Sequence, residues 1–286
     1  MRLALGAVVL FATLAAVLRS QAEPTPAAPA GAIAKVAPLP SAAASEPTPN
    51  PGADATEVPH LLVTPPNYAF VDATWDRPLR VLASAEASKR VLVYLHGYCG
   101  DVNAVGAFVP AAAAHGTLIA LLGDQPCKDK PGRFKWSNDI RGLDEHIQRA
   151  VRLVNRALKL ELDAKDMTLF GYSQGALRAE SLARFYAAHY PRVILGGPPR
   201  RPKPAHFRGV RAIAVFGGEL EDTHDMLGGA EDMIAAGEHA RFFLLPGVDH
   251  GDFGGEVLGN HSLGEVLDFV DPREKPEQGS EHLVIQ

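Results

Sequence analysis

Ser173 lies in Gly171-Tyr172-Ser173-Gln174-Gly175, between an apolar stretch with strand character and a segment with helical character. A serine hydroxyl attacks an acyl group only if a sharp turn exposes it and a base takes its proton. Glycines on both sides permit that turn and let the following helix pack close. The helix N-terminus then brings backbone N–H groups and positive potential to the oxygen. A base is at hand in His250, on the glycine-rich loop Pro246-Gly247-Val248-Asp249-His250-Gly251-Asp252 that follows FFLL. A histidine so placed can take the serine proton and return it to a leaving group. Its imidazole needs a carboxylate to orient it. Glu219, Glu221, Asp222 and Asp225 all compete in the run after the apolar segment Ala212–Phe216. The other histidines nearby have plainer readings. His224 shares the acid loop, and His261 falls where a helix begins and a capping role is expected.

These side chains must be positioned by the elements before them. VLVYL at 91–95, TLIALL at 117–122, Met167–Phe170, Val193–Leu195, Ala212–Phe216 and Phe242–Leu245 read as buried strands. Between them, helices are predicted over 102–114, 138–160, 174–189, 226–236 and 263–270. In the longest, Ile140, Leu143, Ile147, Val151, Val154 and Leu158 recur at spacings of three and four, with Asn138 as a candidate cap. Upstream, Leu61–Thr64 and Leu79–Ser84 are expected to form an antiparallel edge. Strands alternating with helices specify an α/β fold, a mostly parallel sheet covered on both faces. Such sheets bind ligands beyond the carboxyl ends of their strands. The reactive residues singled out above follow strands.

A further strand end carries His96-Gly97-Tyr98-Cys99-Gly100, which resembles the H-G-x-x-G oxyanion loop of α/β-hydrolases. With the order serine, acid, histidine, residues from about 89 to 270 resemble that superfamily, its esterase and phospholipase/carboxylesterase branches nearest. The resemblance implies Ser173 as nucleophile, His250 as base, and the backbone N–H groups of Tyr98 and Gln174 as oxyanion donors. It favours Asp222 as the acid, with Glu221 the alternative and Glu219 and Asp225 left as solvated loop charges. His96 is expected to have a structural role. The implied reaction is ester hydrolysis through an acyl-enzyme, without a cofactor or metal. A peptidase or amidase on the same fold, and a non-catalytic envelope binding protein that keeps the scaffold, are the other readings. Cys99 and Cys127 both follow strand ends beside the site, and in an oxidising compartment they are expected to form a disulfide.

Composition bounds the rest. The chain has 286 residues, a formal net charge of -5 and only two cysteines, which offers no support for nucleic-acid binding or a zinc-finger framework. Residues 1–22 combine Arg2, an uncharged apolar run and a small-residue pattern at Ser20 and Ala22. They read as a signal peptide or an N-terminal anchor. Residues 23–59, rich in Pro and Ala, read as a disordered linker, residues 60–271 as the hydrolase domain, and 272–286 as a polar tail. The expected location is secreted, periplasmic or cell-envelope, with membrane or wall association through the N-terminus. Two basic loops, 127–136 and 198–204, leave strand ends near the site. They hint at an acidic substrate or an anionic surface. The segment between Gly196 and Arg211 is too short for a large lid, so a fairly open site for small or polymeric esters is expected.

Overall fold

The computed structural model describes residues 61–64, 68–71, 77, 79–84, 88–251 and 255–272. The N-terminal address, the linker and the tail beyond residue 272 lie outside the described residues. The strands are β1 Leu61–Thr64, β2 Tyr68–Val71, β3 Leu79–Leu82, β4 Val91–Leu95, β5 Thr117–Leu121, β6 Gln125–Pro126, β7 Phe134–Lys135, β8 Met167–Tyr172, β9 Arg192–Gly196, β10 Ala212–Gly218 and β11 Ala240–Leu245. The helices are α1 Val109–His115, α2 Ile140–Leu158, α3 Gln174–Tyr186, α4 His224–Ala235 and α5 Gly255–Val270.

Nine strands form one sheet in the order β1-β2-β3-β5-β4-β8-β9-β10-β11. The six from β5 to β11 run parallel, and β3, β2 and β1 continue the sheet antiparallel. Leu61–Thr64 does not pair with Leu79–Leu82 as expected, because β2 lies between them. The strand at Tyr68–Val71 has no counterpart among the strands expected from the sequence. β6 and β7 form a small separate hairpin within the basic loop 127–136 and its approach.

The central strands β4, β5, β8, β9 and β10 are buried along their whole length, as their unbroken apolar runs require of strands covered on both faces. One face packs Leu143, Ile147, Val151 and Val154 of α2 with Ala179 and Leu182 of α3 and Met226 and Met233 of α4. The other packs Phe108, Ala112, Phe170 and Phe216 with Leu263, Val266 and Leu267 of α5. Each such fully buried aliphatic side chain contributes about 1.5–3 kcal/mol. α2 is capped by Asp139, which accepts from Gly142 N, and not by Asn138. The helix predicted over 102–114 is a 3-10 stretch, Val102–Phe108, followed by α1. Pro110 stands in the first turn of α1, where its missing N–H costs nothing. His261 falls inside α5 and not at a helix start.

Candidate active site

β8 ends at Tyr172 in the middle of the sheet, and α3 begins at Gln174. Ser173 alone makes the turn, at φ 51 and ψ -113. A side chain seldom adopts that backbone, so the surroundings must enforce it. Ser173 N donates to Gly196 O at 2.8 Å. The glycines are required by contact. A Cβ on Gly175 would stand 2.0 Å from Leu95 O, and one on Gly171 2.3 Å from Gly175 O. Ser173 makes no side-chain cap to its own helix, which leaves its hydroxyl for another partner.

That partner is His250, whose Nε2 lies 3.0 Å from Ser173 Oγ. The imidazole leans on Tyr172, ring centroids 5.3 Å apart, and Gly197 clears space on its far side, where a Cβ would be 3.0 Å from the ring. Burial, and then the carboxylates of Glu221 and Asp249, push the Tyr172 phenol well above its ordinary range, so it stays neutral beneath the histidine.

His250 Nδ1 meets Glu221 Oε2 at 2.6 Å. Asp222, the favoured acid, is not in this chain of contacts. Its Oδ1 accepts from His224 N at 3.0 Å as α4 begins. The reason is local. The turn after β10 points residue 221 back toward the strand ends, and Gly218 N donates to Glu221 Oε1 at 2.7 Å. One glutamate oxygen is thus held by the backbone and the other faces the imidazole, while the next residue faces the helix. Glu219 is also more than a solvated charge, for its Oε2 accepts from Gly247 N at 2.9 Å. Glu219 N to Leu245 O and Leu220 N to Val248 O, each 2.9 Å, tie the acid loop to the histidine loop. Asp225 is exposed in the first turn of α4. His224 is exposed at the first position of that helix.

The loop after β4 lies against the serine, since a Cβ on Gly97 would be 3.3 Å from Ser173 Cβ. His96 organises it. Its Nε2 accepts from Gly123 N at 2.9 Å, so Nδ1 carries the proton and donates to Gly97 O at 2.7 Å. Burial lowers its pKa, so the neutral ring is the one that fits. Trp136 Nε1 donates to His96 O at 2.8 Å, and the Gln174 side chain bonds both Trp136 N and Trp136 O. The backbone N–H groups of Tyr98 and Gln174 find no protein acceptor among the described residues. Gln174 is the first residue of α3, next to Ser173, and Tyr98 follows Gly97 in the neighbouring loop. The indole at Trp136 was missed by sequence reasoning. Its tie to His96 joins residues forty apart, and nothing in its local pattern announces it.

Cys99 and Cys127 form a disulfide with Cα atoms 5.8 Å apart. It fastens the His96–Gly100 loop to the β6–β7 hairpin. Phe134 N to Gly100 O at 3.0 Å and the ion pair of Arg133 with Asp101 at 2.6 Å reinforce the same junction. Among the described residues no cluster of three or more His, Cys, Asp or Glu is placed to hold a metal ion.

No protein-family model and no curated protein matches this sequence. Solved structures do. Native esterase 2 of Thermogutta terrifontis is similar at 17% identity, with 77% of this chain and 96% of that chain covered and a TM-score of 0.50. The same esterase phosphorylated by paraoxon is similar at 16% identity, with 74% and 97% covered and a TM-score of 0.50. A Staphylococcus aureus protein regarded as an esterase is similar at 11% identity, with 76% and 85% covered and a TM-score of 0.51. With the sheet order and the strand-turn-helix at residue 173, these likenesses show that the chain has the α/β-hydrolase fold.

Proposed function

We propose that this protein is an exported serine hydrolase that cleaves carboxylic esters with Ser173, His250 and Glu221. The observation that carries this reading is the continuous hydrogen-bonded chain from Ser173 Oγ through His250 to Glu221, at 3.0 and 2.6 Å, on a strained turn at a central strand end. In this reading His250 Nε2 accepts the serine proton as Oγ attacks the ester carbonyl. Glu221 holds the proton on Nδ1 and stabilises the imidazolium. The negative oxygen that forms is met by the N–H groups of Tyr98 and Gln174. The tetrahedral species collapses as His250 gives its proton to the departing alcohol. Water, activated by the same histidine, then attacks the acyl-Ser173 ester, releasing the acid and restoring the serine.

Export is supported by the apolar N-terminal segment and by the Cys99–Cys127 disulfide, which suits an oxidising compartment. Among the described residues, no helix is long and apolar enough to cross a membrane. A small-molecule or polymeric ester is the proposed substrate, admitted at a site where the His250 side chain is 42% exposed.

A fluorophosphonate probe tests the reading directly. It is expected to label the wild-type protein and not Ser173→Ala, with p-nitrophenyl butyrate hydrolysis lost in the same variant. Unlabelled but folded wild-type protein would favour a binding role. Faster cleavage of peptide anilides than of aryl esters would favour an amidase.

A further inference from the structure

The two N–H groups that meet the oxyanion under the proposed mechanism belong to two peptide planes, and each plane is fixed through its carbonyl. In a trans peptide the N–H points opposite to the C=O. Tyr98 N–H shares its plane with Gly97 O, which accepts from His96 Nδ1 at 2.7 Å and from Gly100 N at 3.1 Å. Gln174 N–H shares its plane with Ser173 O, which accepts from Ala176 N at 3.0 Å and from Leu177 N at 3.4 Å in the first turn of α3. One donor is thus aimed by a loop and the other by a helix. They come from the ends of two different strands, β4 and β8. A hole built from both needs their spacing fixed as well as their directions.

Trp136 connects the two. It follows β7, the second strand of the small hairpin, and it is buried. On the loop side, Trp136 Nε1 donates to His96 O at 2.8 Å, and the two rings lie 4.8 Å apart between centroids. Gly123, just before β6, donates its N–H to His96 Nε2 at 2.9 Å and so holds the same imidazole. On the helix side, Trp136 N donates to Gln174 Oε1 at 3.0 Å, and Gln174 Nε2 donates to Trp136 O at 3.2 Å. The carboxamide is therefore held both as acceptor and as donor. The hairpin is fastened to the loop by the Cys99–Cys127 disulfide and by Phe134 N to Gly100 O at 3.0 Å. A continuous set of hydrogen bonds runs from Gly97 O through His96 and Trp136 to Gln174, separate from the one that joins Ser173, His250 and Glu221.

We propose that Trp136 and the Gln174 carboxamide are positioning residues for the oxyanion hole, acting as one unit that sets the distance between the Tyr98 and Gln174 N–H groups. This inference rests on the serine-hydrolase reading and adds to it two side chains outside the triad. Oxyanion stabilisation is realised in the transition state, so loosening it lowers kcat and kcat/KM together and leaves KM in place. A displacement of about 1 Å at a reacting centre costs roughly 100-fold in rate. Because both side chains serve a single connection, breaking it at either end forfeits the same effect.

Two variants test it. Trp136→Phe removes the indole N–H and keeps a ring against His96. Gln174→Met keeps the length of the side chain and the backbone N–H, and removes both bonds to Trp136. Each is expected to lower kcat for p-nitrophenyl butyrate about 10–100-fold per fluorophosphonate-titrated site, with KM within about twofold. An alkyl trifluoromethyl ketone adds to a serine as a tetrahedral oxyanion, and its binding is expected to weaken by the same factor as kcat/KM falls. The acid limb of the kcat/KM–pH profile, which reports His250, is expected to stay in place. The double variant is expected to lie within about twofold of the slower single. A purely structural role would lower the melting temperature and the number of labelled sites, with kcat per site and ketone binding unchanged, and would overturn the proposal. Losses that multiply in the double variant would overturn the single unit. Should Trp136→Phe fail to fold, Gln174→Met carries the test alone. Wild-type protein that takes no probe and cleaves no ester would overturn the hydrolase reading instead, so the two failures are distinguishable.

Discussion

Replacing Glu221 with glutamine changes few atoms but reverses one hydrogen bond. Gly218 N donates to Glu221 Oε1, so the amide oxygen of a glutamine keeps that place and its NH2 group faces His250 Nδ1. Nδ1 must then accept, which moves the imidazole proton to Nε2, the atom 3.0 Å from Ser173 Oγ. A protonated Nε2 cannot take the serine proton, and the imidazolium loses its counter-charge. Conversion of an orienting carboxylate to its amide in such a triad lowers kcat roughly 10⁴-fold, or about 5 kcal/mol of transition-state stabilisation. Asp222→Asn is the matched control. Its Oδ1 accepts from His224 N, and an asparagine oxygen can do the same, so kcat should stay within about twofold. Steady-state hydrolysis of p-nitrophenyl butyrate measures both, with thermal melts to show that each variant is folded. A Glu221→Gln enzyme within tenfold of wild type, or an Asp222→Asn enzyme down by orders of magnitude, would refute the assignment of the acid.

Other consequences can be measured on the same protein. The Cys99–Cys127 crosslink closes a separation of 28 residues, worth about 3–4 kcal/mol in the chain-entropy model. The double serine variant should therefore melt roughly 7–14 °C lower in calorimetry. His96 is held neutral with a lowered pKa, while the unfolded chain binds its proton near pH 6.5. The unfolded state then holds more protons as the pH falls through that value, so stability is full above about 6.5 and is lost below it. Urea midpoints should show this acid slope in the wild type and a flatter one in His96→Gln. Gly175→Ala drives a Cβ to 2.0 Å from Leu95 O, a backbone atom that cannot yield cheaply. It should cost about 1–3 kcal/mol or more and lower activity with stability, seen by circular dichroism and ester assay.

Much of this architecture is legible in the residues, because buried parallel strands advertise themselves as unbroken apolar runs. The strand at Val91–Leu95 and the helix bearing Ile147, Val151 and Val154 are cases where local pattern and tertiary burial agree. β2 is not legible. Its four residues lie close to Pro65 and Pro66, and a pairing partner elsewhere in the chain decides that they form a strand. At the site, Ser173 and His250 are marked by glycines that only a tight turn needs. The acid is not marked. Glu219, Glu221, Asp222 and Asp225 are chemically interchangeable in a list, and the direction of one backbone turn separates them. The Trp136–His96 bond is likewise invisible, since it depends on how two loops dock.

The serine and the histidine hang from very different parts of the sheet. Ser173 follows β8, flanked on both sides by paired strands, whereas His250 follows β11, the last strand of the order. The ties among Glu219, Leu220, Gly247 and Val248 join the end of β10 to the end of β11. Edge elements open locally at a lower free energy than the centre of a sheet. Local opening there would carry His250 and Glu221 away together from Ser173, which follows a central strand. On the proposed mechanism, such an opening would abolish turnover with little change in secondary structure. On that mechanism, heating is then expected to remove activity before it unfolds the sheet, the first event being set at the margin.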